Sequence, residues 1–210
     1  MSTALKRPTV DDYFAADLAD EHKLEFIGGE IIGGEIIAMA GGDPVHSRLA
    51  QKLGAILERG LAGAPCLTFQ SDLRVQIGDD MGDYVYPDAT IACPPRRFLD
   101  TRPRTLATPT IVLEVLSPST AARDLNEKAV AYRRTPSLRE YVMIDSMTRR
   151  VTHAVRADDE TWTVRDYVGE ATFTLRTVGV QIPLGELYQG FEALRAELAA
   201  AAPTSPAPAG

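Results

Sequence analysis

The chain has 210 residues, a hydrophobic fraction of 45% and a formal net charge of -7 at pH 7. This length allows one domain with a substantial core, and no segment approaches the roughly 20 apolar residues that a membrane-spanning helix needs. The first residues lack the apolar core of a secretion signal, so we expect a cytoplasmic protein with no membrane contact. The two cysteines, Cys66 and Cys93, lie far from any CxxC pattern and are predicted to be buried free thiols.

The predicted elements begin with a short helix over residues 9–20, with acidic residues in its first turn. Alternating apolar and polar residues around two Gly-Gly pairs then predict strands joined by tight turns. The sequence GGEII occurs there twice, at 28–32 and 33–37. A five-residue shift puts equivalent side chains on opposite faces of a strand, so the two copies cannot occupy equivalent positions in a sheet. Apolar residues at three- and four-residue spacing predict an amphipathic helix over 44–61.

The second half of the chain contains the most apolar segments. The sequence TIVLEVLS predicts a buried central strand, and DLNEKAVAYRRT predicts a helix that follows it. The other predicted elements are strands over 66–77 and 84–93, a Pro- and Arg-rich loop, a buried strand over 139–145, a hairpin pairing 149–156 with 161–168, a strand near 172–182 and a helix near 185–198.

These elements together predict an α/β (α+β) fold, with a mixed β-sheet flanked by helices and a β-hairpin extension. We expect a single domain over residues 10–198, preceded by an N-terminal segment of residues 1–9. The Ala- and Pro-rich residues 199–210 are predicted to be disordered because their composition cannot form a packed core.

Two acidic residues stand in segments that are otherwise apolar. Glu114 lies in the middle of IVLEVL, and an unpaired buried carboxylate needs a cation or a strong set of hydrogen bonds. Asp88 follows Pro87 at the start of another apolar segment, where the alternative role is that of a turn or cap residue. Two carboxylates on neighbouring strands repel each other unless a hard divalent ion lies between them. The pattern therefore predicts a Mg²⁺ or Mn²⁺ site.

Lys128 follows Glu114 by 14 residues, on the predicted helix that returns from the central strand. Its long side chain could reach back to the carboxylates. There it would orient or deprotonate an attacking water and stabilise the negative charge of a phosphoryl transition state. The alternative is an ordinary surface lysine.

Basic residues are concentrated in one part of the chain. Residues 91–156 hold 12 Lys and Arg against 6 Asp and Glu, whereas the rest of the chain is strongly acidic. Arginines of this segment, among them Arg96, Arg97, Arg133 and Arg134, could follow a phosphate backbone. A solvated surface with scattered ion pairs explains the same counts equally well. Because the net charge is negative, DNA binding is expected to be weak unless a partner or a homodimer assembles the basic surface.

Several of these segments resemble one known family. PDATIAC and IVLEVLSPSTAARDLNEKAVAYRRTPSLREYVMID closely resemble the Uma2 family, formerly the domain of unknown function DUF820, within the PD-(D/E)XK nuclease superfamily. The similarity extends over about residues 10–192 and includes GGEIIAMAGGDPVHSRLAQKL. It implies a restriction-endonuclease-like fold and a metal-dependent endonuclease that hydrolyses phosphodiester bonds in DNA.

The resemblance also implies roles for individual residues. Asp88 and Glu114 match the two acidic positions of the motif and are the implied metal ligands. Position 116, where the superfamily usually has its lysine, is Leu116 in this chain. Lys128 corresponds instead to the lysine that this family carries on the following helix.

Other residues are candidate accessory groups. Either Glu30 or Glu35 could occupy the family's N-terminal acidic position, and we favour Glu35 because GEIIAMAGG continues in register into the helix. His46 begins the first long helix, where it could face the site or act as a capping or surface residue. Asp124 is most simply a helix N-cap that could also contact the outer part of a metal site. Tyr132 shares a helix face with Lys128.

Three functions remain open at this point. The first is a metal-dependent DNA endonuclease, and the second is a non-catalytic module that binds DNA or protein on a nuclease scaffold. The third is a hydrolase of a small phosphoester. The sequence contains no GxGxxG, no GK[ST] after a glycine loop, no GxSxG and no Cys and His spacing typical of zinc sites, which argues against nucleotide-binding, serine hydrolase and zinc-binding classes.

Overall fold

The computed structural model describes residues 9–19, 23–27, 30–32, 43–78, 82–99, 104–117 and 128–201. The helices in these ranges are α1 (Val10–Ala19), α2 (Pro44–Gly60), α3 (Ala129–Arg134), α4 (Leu184–Leu187) and α5 (Phe191–Ala201). The first strands along the chain are β1 (Glu25–Ile27), β2 (Glu30–Ile32), β3 (Leu67–Gln70), β4 (Arg74–Ile77), β5 (Asp83–Val85), β6 (Ala89–Ala92), β7 (Phe98–Leu99) and β8 (Thr105–Leu106). The later strands are β9 (Ile111–Leu116), β10 (Glu140–Asp145), β11 (Arg150–Arg156), β12 (Trp162–Val168), β13 (Thr172–Leu175) and β14 (Val180–Pro183).

The strands form two six-stranded sheets and a hairpin. The first sheet has the order β2-β1-β5-β4-β8-β7, the second sheet has the order β12-β11-β10-β9-β6-β3, and β13 pairs with β14. In the second sheet β9 runs parallel to β10 and antiparallel to β6, so the sheet is mixed. A parallel pair needs a crossover connection, and α3 lies in the connection between β9 and β10.

The two faces of the second sheet are covered by different elements. Leu49, Leu53 and Leu57 of α2 pack on one face, together with the β13–β14 hairpin and α4. Tyr132 of α3 and Val75 of the first sheet pack on the other face. Because both faces are covered, all six residues of β9 are buried, which explains why five of the six are apolar.

Helix α1 packs against the first sheet around a buried arginine. The rings of Phe26 and Tyr84 each stack on the ring of Tyr13, with centroids 5.5 Å apart in both pairs. Arg74 is fully buried, and its Nη1 donates to Oδ2 of Asp17 at 2.7 Å. This ion pair joins α1 to β4 of the first sheet, and both of its side chains are shielded from water.

Three of the predicted strands are divided in the structure. Residues 66–77 form β3 and β4, and residues 84–93 form β5 and β6, with the two parts of each pair in different sheets. Tyr86, Pro87 and Asp88 interrupt the second segment, and a proline cannot donate to a strand ladder. Residues 172–182 form the β13–β14 hairpin rather than one strand, with Gly179 at a φ of 72° in its turn. The predicted helix near 185–198 is likewise two helices, α4 and α5.

The prediction of two free thiols is wrong. Cys66 and Cys93 form a disulfide, with their Cα atoms 4.1 Å apart. Leu67 pairs with Ala92 across the antiparallel strands β3 and β6, so the next residues outward lie opposite each other. This register is a tertiary feature that the spacing of the cysteines in the sequence does not reveal.

Some predictions concern residues outside the described ranges. These are the second GGEII copy with Glu35, the cap residue Asp124, and most of the terminal segments 1–9 and 199–210. The domain boundaries therefore stay predictions. None of the helices in the described part of the chain is both long enough and apolar enough to cross a membrane.

Candidate active site

Glu114 is the buried centre of a polar cluster on β9. Its side chain is 5% exposed, and Oε1 accepts hydrogen bonds from Nζ of Lys128 at 3.2 Å and from the hydroxyl of Tyr132 at 2.7 Å. Both donors come from the α3 segment, which crosses the face of the sheet on which this carboxylate lies. The buried carboxylate therefore accepts hydrogen bonds from an ammonium group and from a neutral hydroxyl.

Asp88 lies beside Glu114 because of the register of two strands. It directly precedes β6, in which Ala89 pairs with Leu113 of β9, so that Asp88 and Glu114 come opposite each other. The N–H of Asp88 is 3.4 Å from Oε2 of Glu114, and Oδ2 of Asp88 accepts the N–H of Val115 at 2.7 Å. No described residue donates a hydrogen bond to Oδ1 of Asp88.

His46 reaches the same carboxylate from the first turn of α2. Its Nε2 lies 3.2 Å from Oδ2 of Asp88, and its side chain is 27% exposed. The hydrogen bond with Asp88 raises the pKa of His46, although partial burial opposes this shift. The described structure thus brings His46 together with Asp88, Glu114, Lys128 and Tyr132.

Lys128 immediately precedes α3 and bridges two carboxylates. Its Nζ lies 2.9 Å from Oε1 of Glu25 and 3.2 Å from Oε1 of Glu114. Glu25 also accepts the backbone N–H of Tyr86 at 3.2 Å, which ties β1 to the segment before Asp88. The ammonium group therefore lies between acidic residues from the two sheets.

Glu25 was not among the residues predicted from the sequence. The repeated GGEII drew attention to Glu30 and Glu35 instead. Glu25 stands next to the apolar residues of LEFI, and its side chain is 17% exposed. This is the same signal, an acidic residue in an apolar strand, that identified Glu114, and applied consistently it would have found Glu25.

Tyr132 is fully buried between Glu114 and the ring of Tyr141, whose centroid is 4.5 Å away. Burial, reinforced by the nearby negative charge of Glu114, raises the pKa of Tyr132 well above its usual value. The phenol therefore remains protonated and acts as a fixed hydrogen-bond donor to Oε1.

Asp88 and Glu114 are the adjacent carboxylates that could hold a divalent cation. No three or more His, Cys, Asp or Glu side chains of the described residues are arranged to hold an ion together. Two carboxylates are nevertheless sufficient for Mg²⁺, which commonly binds one or two of them and keeps several waters. Among the described residues, Nζ of Lys128 lies between Glu25 and Glu114, and Nε2 of His46 lies beside Asp88.

The arginines predicted to bind nucleic acid lie near the ends of β6 and α3 that are farther from Asp88 and Lys128, respectively. Arg96 and Arg97 follow β6 at the end opposite to Asp88, and Nη1 of Arg96 donates to the carbonyl of Pro65 at 2.7 Å. Arg133 and Arg134 are exposed in the last turn of α3, at the end opposite to Lys128. A role of these arginines in binding DNA stays a prediction.

Comparison with known proteins gives a consistent result. Residues 10–185 match the Uma2 family, described as "Putative restriction endonuclease". The uncharacterized protein slr1290 of Synechocystis sp. is 31% identical over 161 residues, which cover 77% of this chain and 83% of that protein. The uncharacterized protein sll1609 of the same organism is 35% identical over 141 residues, which cover 67% of this chain and 79% of that protein.

A solved structure has the same fold. The crystal structure of a putative nuclease belonging to DUF820 from Anabaena variabilis superposes with a TM-score of 0.64 at 15% identity, covering 85% of this chain and 98% of that chain. The predicted restriction-endonuclease-like α+β fold is therefore confirmed. Since the family match extends over most of the chain, this protein belongs to the Uma2 family.

Proposed function

We propose that this protein is a divalent-metal-dependent endonuclease that hydrolyses phosphodiester bonds in DNA. The observation that carries the proposal is the adjacency of Asp88 and Glu114, with Lys128 3.2 Å from Glu114. Membership of a family described as "Putative restriction endonuclease" supports the same reaction class, as does the description of the Anabaena variabilis protein as a "putative nuclease".

Asp88 and Glu114 would hold the cation, which is Mg²⁺ or Mn²⁺ because carboxylate oxygens suit these hard ions. Bound there, the ion would supply positive charge to a phosphate group and lower the pKa of a bound water. The carboxylate oxygens of Asp88 and Glu114 fit this role as metal ligands, because Oδ1 of Asp88 receives no hydrogen bond from the described residues.

The protein's own groups have separate tasks in the proposed reaction. Lys128 orients the attacking water and stabilises the negative charge that develops on the phosphoryl oxygens. Tyr132 fixes Oε1 of Glu114, and His46 fixes Oδ2 of Asp88. The carboxylates thereby keep one orientation, which limits the reorganisation needed during the reaction.

The experiment compares cleavage of plasmid DNA with Mg²⁺ or Mn²⁺ by the wild type, Glu114→Gln and Lys128→Ala. We expect both substitutions to reduce the rate at least about 100-fold. Glu186→Gln and Lys52→Ala are matched controls, because these residues form exposed contacts with Arg59 and Gln189. Their rates should equal that of the wild type.

Other outcomes identify the alternatives. Unchanged cleavage by Glu114→Gln and Lys128→Ala would remove the assigned site. DNA binding without cleavage by the wild type would favour a non-catalytic DNA-binding module. Hydrolysis of bis(p-nitrophenyl) phosphate without any cleavage of DNA would favour a hydrolase of small phosphoesters.

A further inference from the structure

Two groups of the candidate site lie on the segment of helix α3. Tyr132 is in the last turn of its described residues Ala129–Arg134, and Lys128 directly precedes them. Contacts that hold this segment against the sheet help to fix both side chains relative to Glu114.

Arg156, the last residue of β11, binds the C-terminal end of α3. Its Nη2 donates to the carbonyl oxygen of Arg133 at 2.6 Å and to that of Thr135 at 2.9 Å. Its Nη1 donates to the carbonyl oxygen of Pro136 at 3.4 Å. Carbonyl groups at the end of a helix lack partners within the helix. A guanidinium group satisfies them and also interacts favourably with the negative end of the helix dipole.

Arg156 is itself held in place by the second sheet. Its side chain is 4% exposed, its guanidinium lies 5.0 Å from the ring centroid of Trp162, and Nη1 bonds Glu160 at 2.8 Å. Trp162 is also its cross-strand partner in β12, and the N–H of Arg156 donates to the carbonyl of Arg139 at 2.9 Å. The planar guanidinium can stack on the ring and reach two carbonyls at once, which a lysine ammonium cannot do.

We infer that Arg156 is a positioning residue for the candidate site. By fixing the C-terminal end of α3 to the second sheet, it sets the distance of Lys128 and Tyr132 from Glu114. The inference rests on the proposed function for its catalytic meaning, but the contacts it describes exist whether or not the protein cleaves DNA. A displacement of about 1 Å at a catalytic group can reduce a rate roughly 100-fold. Loss of the contacts between Arg156 and α3 would therefore strongly reduce activity.

The first test measures the position of Lys128 without any substrate. Amine acylation followed by mass spectrometry gives the modification rate of Lys128 relative to that of Lys52, a half-buried lysine on α2 that serves as the internal reference. In Arg156→Gln we expect this ratio to rise at least about fivefold, because local opening of α3 breaks the contacts with Glu25 and Glu114. Arg156→Lys keeps the positive charge but not the planar guanidinium group with its several N–H donors, and it should give a smaller increase in this ratio.

The control is Arg165→Gln, which removes an exposed arginine from the neighbouring strand β12. All rates are measured well below each variant's melting temperature, so that global unfolding does not contribute. A folded Arg156→Gln or Arg156→Lys protein with the wild-type ratio would overturn the inference. Should Arg156→Gln fail to fold, Arg156→Lys alone decides, and an increase of at least about twofold is the expected result.

The second test uses DNA cleavage and separates positioning from a purely structural effect. If Arg156 acts mainly through Lys128, Arg156→Gln should slow the wild type at least about tenfold. In Lys128→Ala only the effect through Tyr132 remains, so the same substitution should slow that variant at most about threefold. Equal slowing in both backgrounds would contradict positioning of Lys128. A wild type that cleaves no DNA would overturn the proposed function, while the acylation ratio would still decide whether Arg156 holds α3.

Discussion

The backbone N–H of Asp88 lies 3.4 Å from Oε2 of Glu114, across the antiparallel pair of β6 and β9. Asp88 directly precedes β6, so the register of β6 with β9 brings it opposite Glu114. Glu114 is held by its strand, and Asp88 is held by the hydrogen bond that Oδ2 accepts from the N–H of Val115. The same closeness creates repulsion that a positive group must offset.

Lys128 offsets part of this repulsion, and its removal should have opposite effects on stability and ion binding. In Lys128→Met we expect the free energy of unfolding without added metal to fall by about 3 kcal/mol, because buried carboxylates lose their charged partner. Mn²⁺ affinity should rise about three- to tenfold, since the ammonium no longer competes with the ion. Urea unfolding and calorimetry measure the two quantities.

Lys52→Met is the control for this substitution, because Lys52 forms an exposed contact with Gln189. Its unfolding free energy should stay within about 0.5 kcal/mol of the wild type. A lower Mn²⁺ affinity in Lys128→Met would mean that Lys128 does not compete with the ion.

His46 should make a contribution to stability that depends on pH. Its hydrogen bond with Asp88 raises its pKa in the folded protein above the ordinary value of 6.5. The contribution is therefore fully present below the unfolded pKa and is lost as the pH rises through the folded pKa. We expect the difference in unfolding free energy between wild type and His46→Gln, measured in EDTA, to be about 1 kcal/mol larger near pH 6 than near pH 9. A difference that grows with pH would contradict this pairing.

Glu140 should contribute to stability in the opposite pH direction. It is fully buried, lies 2.6 Å from Nε2 of His153 and accepts the N–H of Thr177 at 2.6 Å. Burial acts to raise the pKa of Glu140, but the hydrogen bonds outweigh it and the net shift is downward from 4.5. Its contribution is therefore present above the unfolded pKa and is lost as the pH falls through the lower folded pKa.

Replacing Glu140 with Gln should lower the free energy of unfolding by about 3 kcal/mol near pH 7. The loss relative to the wild type should shrink as the pH falls below about 4.5. Glu197→Gln, an exposed change on α5, should have no measurable effect at either pH. Denaturant titrations over this pH range check the prediction, and a pH-independent loss would contradict the assigned ionisation.

The disulfide between Cys66 and Cys93 should stabilise the protein by constraining the unfolded chain. The two residues are separated by 27 positions, and closing a loop of this size contributes about 3 to 4 kcal/mol in the chain-entropy treatment. We expect reduction to lower the denaturant midpoint of the wild type but not of a Cys66→Ser/Cys93→Ser variant. Alkylation of two free thiols in the native, unreduced protein would contradict the bond.

Local sequence was sufficient to predict the elements that carry the site. Glu114 was recognisable because it stands among the five apolar residues of β9, where a buried carboxylate needs a cation or a strong set of hydrogen bonds. Lys128 was predicted to reach the carboxylates because the helix predicted after the central strand returns from the end of that strand. The structure confirms a buried strand over Ile111–Leu116 and, in the described part of the second segment, a helix over Ala129–Arg134.

Features that depend on tertiary register were not predictable in this way. The strands over 66–77 and 84–93 each satisfy one alternation pattern, which does not reveal that their parts belong to different sheets. The disulfide depends on the pairing of β3 with β6, and the contact of His46 with Asp88 depends on how α2 lies on the sheet. Glu25 was missed because the repeated GGEII supplied two more conspicuous glutamates.

Calorimetric titration with Mn²⁺ tests the central claim most directly, because it requires no substrate. We expect the wild type to bind an ion that Asp88→Asn and Glu114→Gln each bind at least about 10-fold more weakly, while Glu186→Gln binds it normally. Absence of binding by the wild type, or equal affinity in the wild type and both variants, would contradict the assignment of these two carboxylates as the metal ligands.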